Sequence, residues 1–69
     1  MEIKTFLTSN GWQYIGQTCG CGGSPKLDQY KKEGKRLNVD LRKEQYKVHE
    51  YKFWSNYAPI SQIFTDSRV

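Results

Sequence analysis

One stretch of the sequence alternates strictly between polar and apolar residues: Arg36-Leu37-Asn38-Val39-Asp40-Leu41-Arg42. Successive side chains of a β-strand point to opposite faces, so this alternation predicts a strand with one buried face. We expect its three apolar residues to point into the core and its polar residues to line an open face. This is the best-defined strand of the sequence, and the remaining elements are placed relative to it.

Turn signals and further strand patterns flank this stretch on both sides. Glu33-Gly34 predicts a turn before it, preceded by a strand over Lys26 to Lys32. Trp12 to Thr18 is rich in alternating aromatic and β-branched residues and predicts the first strand. Lys43-Glu44 predicts a turn after the stretch, and Gln45 to Trp54 then continues as a fourth strand. The spacing of the aromatic residues in this last segment also fits a helix, so both structures stay open for it.

Short helices are expected at both ends of the chain. Glu2 to Ser9 has apolar residues at i, i+3 and i+4, and Asn10-Gly11 suits the end of that helix. After a break at Ser55 to Pro59, a second stripe with the same spacing predicts a short closing helix. The two stripes consist of Ile3, Phe6 and Leu7, and of Ile60, Ile63 and Phe64.

The predicted fold is a two-layer α+β domain that covers residues 1–69 as a single small domain. It combines the short N-terminal helix, a three- to four-stranded antiparallel sheet and the short C-terminal helix. We expect the first helix to pack over the apolar side of the central strand, since that stripe is the nearest surface able to cover it. The open face would carry Arg36, Asn38, Asp40, Arg42, Lys47, His49 and Tyr51.

The charge of the chain is concentrated in its middle. The 69 residues carry a net charge of +4, and residues 26–52 account for all of it, with nine Lys and Arg against five Asp and Glu. Lysine and arginine are the electrostatic footprint of nucleic-acid binders, because they neutralise phosphates. The sequence therefore predicts a small basic module that binds RNA or DNA. The expected binding residues are Lys26, Lys31, Lys32, Lys35, Arg36, Arg42, Lys43, Lys47 and, for base stacking, Tyr51.

The stretch Thr18-Cys19-Gly20-Cys21-Gly22-Gly23-Ser24-Pro25 is too rich in glycine for a helix or a strand interior. It predicts a tight connection, either a plain hairpin loop or a nest of backbone N–H groups that binds an anion. Cys19 and Cys21 could supply half of a zinc site, but His49 is the only further candidate and a closed site needs four ligands. We therefore expect reduced thiols, no metal and no cofactor, in a soluble cytoplasmic protein without a transmembrane run.

The order of elements resembles HicA-type toxins, small ribonucleases with a double-stranded-RNA-binding-domain-like fold. The resemblance covers residues 2–41 and consists of a helix ending Asn10-Gly11-Trp12, a strand, a Gly23-Ser24 step, a second strand, Glu33-Gly34, and a third strand at Leu37 to Val39. It implies the family's fold and an affinity for RNA. In that family a catalytic histidine follows the Gly-Ser step, where this chain has Pro25, so we expect no enzymatic activity.

A second class of function is a protein-interaction module. A small phage-like or mobile-element accessory protein would use its aromatic-rich end to dock on a larger assembly or to inhibit an enzyme. The expected interface residues are Trp54, Tyr57 and Phe64. The oligomeric state stays open.

Overall fold

The computed structural model describes residues 2–18, 22 and 26–69. This part of the chain forms an α+β fold in which a short N-terminal helix precedes an antiparallel sheet of six strands, and a 3₁₀ helix closes the chain. The elements are α1 (Ile3–Ser9), β1 (Gln13–Gln17), β2 (Asp28–Lys32), β3 (Lys35–Asp40), β4 (Gln45–Glu50), β5 (Phe53–Trp54), β6 (Ala58–Pro59) and the 3₁₀ helix (Ile60–Thr65). The predicted class is confirmed, but the predicted count of three or four strands is too low.

Strands β1 to β5 lie side by side in chain order, and β6 also pairs with β4. The extra strands come from the segment after β4. Gln45 to Trp54 was predicted as one strand or a helix, whereas the chain turns at Tyr51-Lys52 and returns as β5. Tyr51 has a φ of 58°, a conformation that glycine or asparagine usually occupies, so the sequence carries no common signal for this turn.

Helix α1 ends where the sequence indicated. The Gly11 N–H donates to the Thr8 carbonyl at 3.1 Å and the Trp12 N–H donates to the Leu7 carbonyl at 3.0 Å, which is the bond pair of a Schellman motif. Gly11 has a φ of 90°, a region that side chains with a Cβ rarely adopt. This turn brings Trp12 into the core, where it is 2 % exposed.

Both helices cover the same face of the sheet. The fully buried side chains come from α1, the sheet and the 3₁₀ helix, and Ile3 and Phe6 pack against them. The expected packing of the first helix stripe over the central strand is therefore present. The core cluster consists of Leu7, Trp12, Tyr30, Leu37, Val39, Tyr46, Val48 and Ile63. Burying such side chains contributes about 1.5–3 kcal/mol each, the main stabilising term for so small a domain.

The central strand is shorter than its alternation predicted. Strand β3 ends at Asp40, whose carboxylate accepts the backbone N–H groups of Arg42 at 3.0 Å and Lys43 at 3.2 Å. These bonds start the turn to β4 at Leu41, two residues earlier than predicted. Leu41 is therefore 60 % exposed rather than in the core, and Arg42 lies in the turn rather than on the open face.

Two residues expected on an exposed surface are buried. Asp40 is 2 % exposed because its carboxylate is used by the turn, and Asn38 is 5 % exposed in the middle of the sheet between Gln29 of β2 and Lys47 of β4. The Oδ1 atom of Asn38 is buried without a hydrogen-bond partner. The expectation that both lie in the open is wrong, because a central strand is shielded by the side chains of its two neighbours.

The C-terminal residues are attached to the core through a polar cluster. The buried Tyr46 hydroxyl donates to Asp66 Oδ2, and the Arg68 guanidinium donates to both carboxylate oxygens, at 2.7 and 3.0 Å. Hydrogen bonds from Arg68 hold the pKa of Asp66 well below its usual range, while burial and the bond to Asp66 raise the pKa of Tyr46 to about 12. Among the described residues, no helix has the length and apolar character needed to cross a membrane.

Candidate nucleic-acid interface

A row of side chains crosses the sheet on the face opposite the helices. Register pairs Gln13 with Lys31, Lys31 with Arg36, Arg36 with His49, and His49 with Trp54. Directly paired residues of antiparallel strands share a face, and Arg36 alternates with the buried Leu37, so all five lie on the open face. With strands about 4.8 Å apart, the row is about 19 Å long. We call these five residues the cross-sheet row.

Lys47 lies beside this row in a box of two aromatic rings. Its Nζ is 4.7 Å from the centre of the Trp54 ring and 5.0 Å from the centre of the Tyr57 ring. The His49 ring contacts the same tryptophan, with ring centres 4.9 Å apart. Cation–π contacts of this kind are worth roughly 0.5–1 kcal/mol at exposed sites. They fix the position of the ammonium while leaving its charge unneutralised.

The cations of this face are not neutralised by carboxylates. Within the described part of the chain, the ion pairs are Lys35 with Glu50 at 3.8 Å and Arg68 with Asp66 at 2.7 Å. Among the described strand residues whose side chains point to the open face, Asp40 is the one that is acidic. Its carboxylate is buried and accepts the backbone N–H of Arg42 in the turn after β3. The open face is therefore electropositive, since none of the ion pairs among the described residues involves Lys31, Arg36 or Lys47.

A shallow depression lies at one end of the row, next to the turn between β2 and β3. It has a volume of about 330 Å³. Three cations and one carboxylate line it, so its net charge is positive. The lining residues are Gly11, Gln13, Lys31, Lys32, Glu33, Gly34 and Arg36.

The structure separates the predicted nucleic-acid-binding residues into three groups. Lys31, Arg36 and Lys47 come together on the open face. Lys32 and Lys35 pair with each other on the helix-covered face, where Lys35 also donates to the Arg68 carbonyl at 3.2 Å.

The remaining predicted residues lie at the two ends of the sheet. Lys26, Arg42 and Lys43 are exposed near the turn between β3 and β4, at the end where Asp28 pairs with Val39. Tyr51 is 93 % exposed at the tip of the β4–β5 hairpin. The nine predicted residues therefore do not share one surface.

Three members of the row, Gln13, His49 and Trp54, are absent from the predicted nucleic-acid site. A two-residue turn at Glu33-Gly34 pairs the residues beside it in order, so the Lys31–Arg36 pair could have been found from the sequence. The pairs Arg36–His49 and His49–Trp54 depend on the four-residue connection between β3 and β4 and on the β4–β5 turn. The sequence specifies these two connections less clearly than the turn at Glu33-Gly34.

The predicted protein-interface residues fall on both sides of the sheet. Trp54 and Tyr57, each 42 % exposed, flank Lys47 on the open face. Phe64 belongs to the 3₁₀ helix and packs edge-on against Phe6, with ring centres 4.8 Å apart. The three do not share one surface.

The predictions on the cysteine-glycine loop fall largely outside the described residues, since Cys19, Cys21 and residues 23–25 are not described. His49 contacts Trp54, and the described residues contain no group of three or more His, Cys, Asp or Glu side chains that could hold a metal ion. The expectations that the cysteines bind no metal and that Pro25 replaces a catalytic histidine stay predictions.

Comparisons with protein-family models, with curated proteins and with solved structures find no match to this chain. The resemblance to HicA-type toxins consequently stays a prediction. The function of the protein is therefore inferred from the geometry of the open face alone.

Proposed function

We propose that this protein is a small non-catalytic nucleic-acid-binding module that grips the phosphate backbone with the open face of its sheet. The observation that carries the proposal is the direct cross-strand pairing of Lys31 with Arg36, next to Lys47, where the described residues place no carboxylate within ion-pair distance. Phosphate groups are the ligands such a cluster suits, since Lys binds them as a point charge and Arg binds them through two donors.

The pairing of Lys31 with Arg36 supports phosphate binding because two like charges on facing residues destabilise the fold. Like charges directly opposite each other on neighbouring strands are destabilising, and an acidic residue at either position would relieve the repulsion. Both side chains are exposed, so neither contributes to the core. A bound phosphate would replace the missing counter-charge and turn an unfavourable pair into a favourable one.

The proposal is tested by fluorescence anisotropy with labelled 12-nucleotide DNA and RNA at 20 to 300 mM salt. Three cations that each neutralise one phosphate predict a slope of log K against log salt near −2, at about −0.7 per phosphate for single strands. Lys31→Glu with Arg36→Glu should abolish binding. The matched control, Arg42→Glu with Lys43→Glu, changes the net charge equally at the far end of the sheet and should keep the slope near −2.

Two outcomes would contradict the proposal: no binding at 20 mM salt, or equal losses in the two double variants. The first would favour the protein-partner alternative, and the second would mean that the protein responds to net charge rather than to this face. Intact RNA after prolonged incubation is the expected result for a non-catalytic module. Cleavage that disappears in His49→Ala would instead indicate an enzyme.

A further inference from the structure

Trp54 lies at the end of the cross-sheet row, and its ring contacts two side chains of β4. The ring contacts His49 and the ammonium of Lys47, both of which project from the same face of β4. Trp54 is nevertheless 42 % exposed. Part of an aromatic ring is therefore exposed to solvent beside the cations.

The backbone that carries this ring is also fixed. The Ser55 N–H donates to the Val48 carbonyl at 2.7 Å, and the Ser55 Oγ accepts the Val48 N–H at 3.0 Å. These bonds continue the ladder between β4 and the chain that follows Trp54. Tyr57 follows Ser55 by two residues in the chain, and its ring is the second aromatic ring that contacts the Lys47 ammonium. A ring held this way loses little freedom when a ligand stacks on it.

The chemistry of stacking distinguishes the forms of a nucleic acid. In a duplex, each base has both of its faces covered by neighbouring bases, whereas an unpaired base can place one face on an aromatic side chain. The major groove of a DNA duplex admits a projecting helix or a two-stranded ribbon, which reads the base edges there. Both described helices pack on the opposite face of the sheet, so among the described residues the open face is formed by strands and the turns between them.

We infer that the ligand of the open face is a single strand, with one unpaired base stacked on Trp54 and the adjacent phosphates on Arg36 and Lys31. This inference rests on the proposed function and adds the form of the nucleic acid and the residue that contacts a base. The row is about 19 Å long, so a single strand lying along it would contact the row with several consecutive nucleotides. Ribose and deoxyribose strands share the required chemistry.

Tryptophan fluorescence tests the inference directly, because Trp12 is 2 % exposed and serves as an internal reference. The probes are 12-nucleotide oligo(dT), 12-nucleotide oligo(U), a 12-base-pair duplex, and inorganic polyphosphate, which has charge but no base. We expect either single strand to quench the exposed tryptophan and to bind at least tenfold more tightly than the duplex. Polyphosphate should compete for the cations without quenching.

Substitutions at Trp54 provide the second readout. Trp54→Leu should weaken single-strand binding about 5- to 150-fold, the range expected for one lost base-stacking contact, and its remaining fluorescence should not respond to oligonucleotide. Trp54→Phe should retain most of the affinity. Phe53→Leu is the matched control, since Phe53 is 77 % exposed but pairs with Glu50 and so points to the other face.

The results separate this inference from the proposed function. Equal affinity for duplex and single strand, or unchanged binding by Trp54→Leu, would overturn the single-strand inference while nucleic-acid binding itself stands. Absence of binding to every nucleic-acid probe at low salt would overturn both. Thermal melts of each variant establish that it is folded before its binding is compared.

Discussion

Lys31→Glu should stabilise the fold while it weakens binding. Lys31 lies directly opposite Arg36 in the register of β2 and β3, and no carboxylate among the described residues forms an ion pair with either one. On its other side Lys31 pairs with the neutral Gln13. A glutamate at position 31 would therefore meet one strong partner, the guanidinium of Arg36, and would replace a repulsive contact with an attractive one.

The magnitude follows from two small contributions at an exposed site. Loss of the like-charge repulsion and gain of an opposite-charge pair are each worth a few tenths of a kcal/mol, so the free energy of unfolding should rise by about 0.5–1 kcal/mol. For a domain of this size that is an increase of about 2–8 °C in melting temperature. Lys31→Gln, which only removes the repulsion, should give about half of the gain.

The assay is urea or thermal unfolding at 20 mM and 500 mM salt, with nucleic-acid binding measured on the same samples. The gain in stability should shrink at high salt because exposed charges are screened. The salt slope of binding should fall by about 0.7, the contribution of one phosphate contact. Lys43→Glu is the control and should leave stability within about 0.5 kcal/mol. A Lys31→Glu variant that is less stable than the parent at low salt would refute the pairing of Lys31 with Arg36.

Further predictions concern the core and its polar contacts. Tyr46→Phe should cost about 1.5–3 kcal/mol at pH 7 by removing the bond to Asp66. Since folding raises the pKa of Tyr46 from 10.0 to about 12, the parent should also lose stability relative to this variant as pH rises from 10 to 12, measured by urea titration. Because the pKa of Asp66 is held below its ordinary value of 3.8, its contribution should be lost as pH falls below about 4. Ser55→Ala should cost about 1–3 kcal/mol by chemical denaturation because it unpairs a ladder N–H, and Ser55→Thr should restore most of it. Leu37→Ala should cost about 2–5 kcal/mol in thermal melts, whereas Leu41→Ala, at 60 % exposure, should change stability by less than about 0.5 kcal/mol.

Period-two alternation and turn residues were enough to predict most of the architecture. Leu37 and Val39 are buried on one face and Arg36 is exposed on the other, as the alternation of polar and apolar residues indicates. Gly11 and Gly34 adopt the positive φ that the turn predictions require. These features could be found from the sequence because each depends on residues that are close together in the chain.

The errors concern features that depend on distant residues or on unusual backbone conformations. Asn38 is polar and falls on the open side of the alternation, yet its burial is decided by neighbours from β2 and β4. Leu41 fits the strand pattern, but the Asp40 carboxylate ends the strand before it. Tyr51 turns the chain with a positive φ that its residue type does not indicate.

The binding face and the core are set by the same register. A slip of β3 by one residue against β2 and β4 would expose Leu37 and bring Arg36 into the core, at a cost far greater than any repulsion on the open face. The positions of Lys31 and His49 opposite Arg36 are therefore as well determined as the burial of the core residues behind them. It follows that Lys31 and Arg36 face each other in the free protein, so their mutual repulsion is present before a ligand binds and should be relieved on binding.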